Sequence, residues 1–290
     1  MSDRALLMGA VAYDPKVVTI WAGFRDWFAR QGLGFDYVLY SNYERQAEDL
    51  VAGRIDLAWN SPLAWVRCRR LAASAGAEVS AIAMRDTDRD LTSVVVVRAD
   101  SPIRTVADLT GATVATGAVD SPQATLLPLA HLRSHGLEPG AGFTVRRFDV
   151  GVGLHGDHIG GEREAARALV GRAAAGSVDA ACMIDSNHLL FSREGTIPPG
   201  STRVLTQTAG FDHCNMTVGP EAPSDLVERF GSLLLAMDYG DPEVRPLLDL
   251  EGLTRWHEGR LSGYGLLEAA VDDLGFYDEK GVVIAAGYRP

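Results

Sequence analysis

Short apolar runs bounded by turn residues alternate along this chain with stretches whose apolar positions recur every three or four residues. Residues 5–11 (Ala5, Leu6, Leu7, Met8, Gly9, Ala10, Val11) are apolar throughout and are followed by Tyr13-Asp14-Pro15. That is the pattern of a strand buried on both faces. In 17–31 the side chains of Val17, Ile20, Trp21, Phe24, Trp27 and Phe28 fall on one helical face, with Gly32 as the stop. The alternation continues with strands over 35–39, 55–59 and 79–84 and helices over 43–52 and 63–74. A second unit begins near Ser93, with strands over 93–98 and 113–116 around a short helix at 105–109. The small-residue loop 117–123 then runs into a helix from Ala124. A strand over 145–149, a loop over 151–161 with five glycines, a helix over 162–175 and a strand over 178–183 follow. Asp185-Ser186-Asn187 opens a short helix, and 202–207 is the next strand. Residues 211–218 read as a return crossing, 224–239 as a helix with Ser224 as its N-cap, and 263–274 as the last helix. Strands alternating with helices predict an α/β fold of mixed, mostly parallel sheets flanked by helices.

A length of 290 residues suggests two domains. Lobe 1 is expected to be discontinuous, 1–92 and 208–290, and lobe 2 to span 93–207. Two crossovers, near 90–95 and 205–215, form the hinge, and a ligand would sit in the cleft where strand ends and helix N-termini converge. The formal net charge of −11, with no basic block, argues against nucleic acid or an anionic membrane as the main partner. It leaves room for a small anion, because local donors outweigh net charge at short range. Cys68, Cys182 and Cys214 are odd in number and widely spaced, so no disulfide framework is expected. No apolar run reaches the ~18 residues of a membrane span. The chain starts Met1-Ser2-Asp3-Arg4 and enters its first strand with no secretory signal ahead of it, so a cytoplasmic address is expected, or a periplasmic one if a signal has been removed. Oligomeric state is left open.

The order of motifs resembles that of type II periplasmic binding proteins, nearest to the phosphate/phosphite/phosphonate-binding branch that serves ABC transporters. Residues 91–128 carry much of the likeness, through Ser101-Pro102, Asp108-Leu109, Gly111 and the loop from Ser121 to Pro128. Asp56-Leu57-Ala58-Trp59, the loop Asn60-Ser61-Pro62-Leu63 and Gly176-Ser177-Val178-Asp179-Ala180-Ala181 add to it. The resemblance implies a two-lobed fold with a two-crossover hinge that closes on a small anionic ligand, phosphonate, phosphate or carboxylate. It implies an ABC permease as partner if the protein is exported. Ser121, Thr125 and the helix start beside them would hold the anion through unpaired first-turn N–H groups and hydroxyls. Pro122 and Gln123 replace some of the usual hydroxyls of that loop. Tyr13, Asn60 and Ser61 would meet the ligand from lobe 1, and His155, His158 and Asp212 would tune specificity.

Other residues carry candidate chemistry. His155-Gly156-Asp157-His158 and Asp212-His213-Cys214 would both face the cleft. The first reading is a loop whose histidines hydrogen-bond an anion, with no cofactor required. A zinc or iron site built from His155, His158, His213 and Asp212 is the alternative. A third reading makes the protein a decarboxylase or lyase of a small acid, aromatic or aliphatic, on the same scaffold, using His155, His158, His213 and Cys214. If 213–214 belong to a strand, His213 and Cys214 point to opposite faces and do not pair. Trp59 could stack on a flat ligand or fill core. Glu162 and Glu164 fit helix capping, with ligand contact the alternative for Glu162. The charged run 85–90 reads as a solvated turn from which Arg89 could reach a carboxylate. Trp256, His257, Glu258, Arg260 and Tyr264 form a polar-aromatic patch read as surface packing or a subunit contact. No P-loop, G-x-S-x-G or H-E-x-x-H motif is present.

Overall fold

The computed structural model describes residues 4–149, 158–171 and 177–288. In chain order the strands are β1 (Leu6–Val11), β2 (Phe35–Tyr40), β3 (Leu57–Asn60), β4 (Ser80–Arg85), β5 (Ser93–Arg98), β6 (Thr113–Thr116), β7 (Thr144–Arg147), β8 (Ala180–Ile184), β9 (Thr202–Gln207), β10 (Asn215–Val218) and β11 (Trp256–Glu258). They form two sheets, β11-β4-β10-β3-β1-β2 and β7-β6-β8-β5-β9. The helices are α1 (Lys16–Arg30), α2 (Tyr43–Val51), α3 (Pro62–Ser74), α4 (Leu127–Ser134), α5 (His158–Leu169), α6 (Asp185–Arg193), α7 (Ser224–Leu235), α8 (Arg245–Glu251) and α9 (Gly265–Leu274). The result is the two-sheet α/β architecture expected from the alternation.

The strand directions correct one detail. β1 runs parallel to β2 and β3, and β6 to β7 and β8. β10 is antiparallel to β3 and β4, β11 to β4, and β5 to β8 and β9. The sheets are mixed rather than mostly parallel. The cause lies in the two crossings: β5 and β10 are the strands through which the chain enters each sheet from the other, and each runs against its neighbours. The crossings travel side by side, with Leu91 and Phe211 exchanging backbone hydrogen bonds at 2.9 and 2.8 Å.

The face expected on α1 is the one buried: Val17, Ile20, Trp21, Phe24, Trp27 and Phe28 pack on the first sheet. Phe28 lies 4.9 Å from Phe230 of α7, so both helices share one aromatic layer. α9 closes the back of the molecule. Leu267 and Val271 join Trp65 of α3 and Leu126 and Leu127 beside α4 in one cluster, so a single helix packs on both lobes. Tyr277 and Tyr288, beyond α9, both donate to Glu44 of α2.

Three local expectations change. Ser224 lies inside α7, with Pro223 at the cap position and no side-chain cap. α8 and β11 occupy a region left unassigned by periodicity, since neither is long enough to show a period. α5 starts at His158, inside the expected glycine loop. A Cβ on Gly161 would stand 2.4 Å from the Phe148 carbonyl oxygen, so the glycine allows α5 to approach the end of β7. Close packing here overrides glycine's poor helix propensity.

Asp212 is fully buried beside the second crossing. It accepts from the Asp90 backbone N–H at 3.1 Å and from Arg260 Nη2 and Nε at 2.6 Å each. It is a hinge residue and lies outside the cavity lining. Asp212→Ala would leave the Asp90 N–H without its acceptor and Arg260 with the Asp90 carboxylate alone. It should lower unfolding stability by about 2–4 kcal/mol, moderated because Arg260 keeps access to water. Urea denaturation checks this, and a midpoint equal to wild type would remove the stabilising role at the hinge.

Candidate functional site

Both sheets aim their strand ends at one space. β1, β3 and β4 end on the same side of the first sheet, and β10, pairing Asn215 with Asn60, begins there. β6 and β8 end on the facing side of the second sheet. Between them lies a cavity of about 360 Å³. Lobe 1 lines it with Tyr13 and Lys16 after β1, Tyr43 at the start of α2, Trp59 and Ser61 around the end of β3, Arg85 at the end of β4, and His213 and Cys214 before β10. Lobe 2 contributes Pro122, Gln123, Ile159 of α5 and Asn187 of α6.

The candidate residues divide accordingly. Tyr13, Trp59, Ser61, Gln123, His213 and Cys214 line the cavity. Asn60 does not. It is fully buried, donates to Thr217 Oγ1 at 2.8 Å and accepts from Gln46, tying β3 to β10. Ser121 accepts the Ala124 N–H at 3.2 Å, and Thr125 donates to the Ala118 carbonyl at 2.7 Å. Both are buried within lobe 2 and outside the lining. The helix start expected to hold an anion is closed in part. Pro122 has no N–H, and the N–H groups of Thr125 and Leu126 bond the Ser121 carbonyl. His155 lies outside the described residues, as does the side chain of His158. Trp59 fills core, packing edge-on against Trp21 and Trp256, and also lines the cavity.

The cavity floor is charged. Arg85 donates Nε and Nη2 to Asp88 at 2.5 and 2.9 Å and Nη1 to the backbone and carboxylate of Glu251 at 2.8 and 3.3 Å. One N–H of Nη2 is left over from these contacts. The run 85–90 is therefore no solvated turn: Asp88 is 2% exposed. Arg89 does not line the cavity. Burial disfavours the Asp88 carboxylate, but Arg85 and His213 outweigh it and hold its pKa at about 2. Burial raises Glu251 to about 7, against the pull of Arg85. Burial likewise keeps Tyr13 and Tyr43 far above their ordinary range, so both are neutral O–H donors at physiological pH.

His213 Nδ1 stands 3.1 Å from Cys214 Sγ and 3.5 Å from Asp88 Oδ1. The pair expected to point apart therefore meets. The reason is local: β10 begins at Asn215, so strand alternation does not govern 213–214. Burial alone would lower the imidazole pKa, but Cys214 and Asp88 push it up to about 10. The ring is a cation at neutral pH, and its Nε2–H has no partner among the described residues.

Asp88, His213 and Cys214 place three donor atoms within 4.8 Å of one another. A metal ion there would have to displace existing contacts. Both Asp88 oxygens hold a guanidinium, and His213 would have to give up a firmly held proton beside that charge. Of the residues considered for a metal from sequence, Asp212 is engaged with Arg260.

Lys16, Tyr43, Glu251 and Asn187 were not singled out as site residues from sequence, and Arg85 and Asp88 belonged to the run read as a solvated turn. Glu162, read as a cap, is instead fully buried behind Gln123 and Asn187, and burial raises its pKa to about 7.

A pH dependence follows. The folded pKa of His213 lies above the unfolded 6.5, so its stabilisation is complete below 6.5 and is lost as pH rises through about 10. Glu162 and Glu251 act between 4.5 and about 7, and the raised thiols of Cys68 and Cys182 act above 9. Between pH 7 and 9 the thermal midpoint should fall through His213, and His213→Gln should flatten that slope. Scanning calorimetry across this window checks it, and an unchanged slope in the variant would contradict the assignment.

Similarity to known proteins agrees with this geometry. The solved structure of PhnD1 from Prochlorococcus marinus (MIT 9301), in complex with methylphosphonate, superposes with TM-score 0.66 and 17% identity, covering 94% of this chain and 99% of that one. XAC2383 from Xanthomonas citri, bound to chloride ion, gives TM-score 0.69 and 19% identity over 93% and 98%. A binding protein component of an ABC phosphonate transporter from Pseudomonas aeruginosa gives TM-score 0.58 and 12% identity over 89% and 82%. At these identities the likeness establishes the fold. No curated protein matches the chain. No helix among the described residues is long and apolar enough to cross a membrane. The profile of the family described as "ABC transporter, phosphonate, periplasmic substrate-binding protein" matches residues 9–264, most of the chain, and the protein belongs to that family.

Proposed function

We propose that the protein binds a small anion, a phosphonate, phosphate or carboxylate, in the cavity between its lobes, with the charge held by lobe 1. One observation carries this reading. Lys16, Arg85 and His213 converge on a single cavity with the neutral phenols of Tyr13 and Tyr43 beside them. An anion there would take the Nε2–H of His213, the remaining Arg85 N–H and phenolic O–H donors. Bonds to charged donors strengthen as the cleft closes and water leaves. The family description adds the setting: a periplasmic receptor that hands its ligand to an ABC permease, which favours the periplasmic one of the two addresses expected from sequence. The decarboxylase or lyase alternative relied on cleft histidines. His213 holds its proton to about pH 10, far from the neutral poise that general-acid work favours.

Isothermal titration calorimetry with methylphosphonate, inorganic phosphate and acetate tests the reading. Saturable one-to-one binding of at least one anion is expected. His213→Gln should weaken it about tenfold to a hundredfold, the worth of a hydrogen bond to a charged group. Lys16→Ala, at the exposed mouth, should weaken it a few-fold and mainly at low salt. Absence of saturable binding for all three anions would overturn the proposal.

A further inference from the structure

All three cysteines of the chain are free, and two of them are sealed in core. Cys68 and Cys182 are fully buried in separate clusters, and burial pushes both thiols up to about 12. The surroundings of Cys214 differ. It lines the interlobe cavity, and its Sγ stands 3.1 Å from Nδ1 of His213. That ring is firmly placed. The His213 backbone N–H donates to the Asp88 carbonyl at 2.8 Å, its carbonyl accepts from the Tyr264 hydroxyl at 3.0 Å, and Nδ1 lies 3.5 Å from Asp88 Oδ1.

Anion binding would use the other edge of the ring, the Nε2–H, and gives the sulfur no task. The sulfur therefore meets the cavity beside a fixed cation, with the Arg85 guanidinium lining the same space. Adjacent cations favour the sulfur anion, which is the form that attacks peroxides and alkylating agents. A thiol packed in apolar surroundings lacks that help, so Cys68 and Cys182 are internal references for Cys214.

We propose that Cys214, held against the ring of His213, is a site of oxidation by peroxides inside the ligand cavity, and that its oxidation and anion binding exclude each other. The sulfur attacks one peroxide oxygen. An S–O bond forms as the O–O bond breaks, and the departing hydroxide leaves as water with the thiol proton. Sulfur is oxidised to the sulfenic acid and the peroxide is reduced. Cys68 and Cys182 are sealed elsewhere, so no disulfide diverts this product. A second peroxide repeats the transfer and gives the sulfinate, a second water and a proton released to solvent. The sulfinate is an anion fixed covalently beside His213 and Arg85, where it competes for the charge that would hold a ligand. The exclusion rests on the anion reading, whereas the reactivity rests on the sulfur–ring contact alone.

Hydrogen peroxide with dimedone as the sulfenic-acid trap, read by peptide mass spectrometry on the full chain, tests the site. Cys214 should be labelled at least about tenfold faster than Cys68 or Cys182. His213→Gln should slow the label at Cys214 about tenfold, and continued silence of Cys68 and Cys182 shows that the variant is folded. Methylphosphonate, inorganic phosphate and acetate are then added in turn. Whichever binds should slow the label about tenfold when present at about ten times its Kd. Exhaustive peroxide treatment should weaken binding of that anion about tenfold or more through loss of free cationic charge. Cys214→Ser, measured before and after the same treatment, should show no change.

Labelling of Cys214 no faster than that of the two buried cysteines would overturn the site. A label rate unaffected by His213→Gln would overturn the role of the ring. An anion that binds by calorimetry yet leaves the label rate unchanged would overturn the exclusion while leaving the anion reading standing. If none of the three anions binds, that failure falls on the anion reading and removes the exclusion with it, and the label rates of the wild-type protein and His213→Gln still decide the oxidation site.

Discussion

A buried guanidinium cannot stand alone, and much of lobe 1 is arranged around that of Arg85. It ends β4, where the chain must leave the first sheet. Asp88 turns back to take its Nε and Nη2, which fixes the turn at the start of the first crossing. The Asp88 carbonyl then accepts the His213 N–H at 2.8 Å, joining the two crossings. Nη1 reaches Glu251, which anchors the end of α8 under the cavity. Each of these charges is tolerated because the others are present. Removing one partner of such a set leaves an uncompensated charge in a low-dielectric place. The network continues outward through Asp90, Arg260 and Asp212, so the hinge and the cavity floor are tied into one charged framework.

This explains what could and could not be read from the sequence. The buried face of α1, the strands before Tyr13 and Ser61, and the two crossings all follow from local periodicity and turn residues, and they lie where expected. The cavity floor does not. Glu251 is 166 residues from its partner Arg85, and no local pattern connects them. Asn187 and Glu162 meet across 25 residues through the packing of α5 beside β8. The His213–Cys214 contact was misread for a different reason: a period-2 rule was applied one residue too early, before β10 begins. Ser121 and Thr125 were assigned from the family's habits, and the fold places them in the right loop with their polar groups turned inward.

The two lobes therefore differ in character. Lobe 1 contributes fixed cations and phenols, held by a salt-bridged floor and an aromatic layer. Lobe 2 contributes amides that donate to a single carboxylate. Sequence identities of 12–19% to the solved relatives preserve the two sheets and the cleft between them. A shared fold is no guide to the donors that fill it. Pro122 shows the point at the scale of one residue. It opens the π-helical turn Pro122–Leu126, which Ser121 caps, and it lacks an N–H that an anion-binding loop would use.

Closure brings the two characters together, and α9 shapes how that can happen. Because α9 packs on both α3 and α4, the lobes share core at the back of the molecule. Wide separation there would expose Trp65, Leu126 and Leu267 to water, at a cost that grows with the apolar area uncovered. The mobile edge is then the cleft mouth, opposite that shared core, with the paired strands at Leu91 and Phe211 as pivot. A rotation about that pivot would open the cavity of about 360 Å³. It leaves the Arg85 framework intact, since Asp88, Glu251 and His213 all move with lobe 1. The cations are thus preorganised before the ligand arrives, and only the amides of lobe 2 must be brought to it.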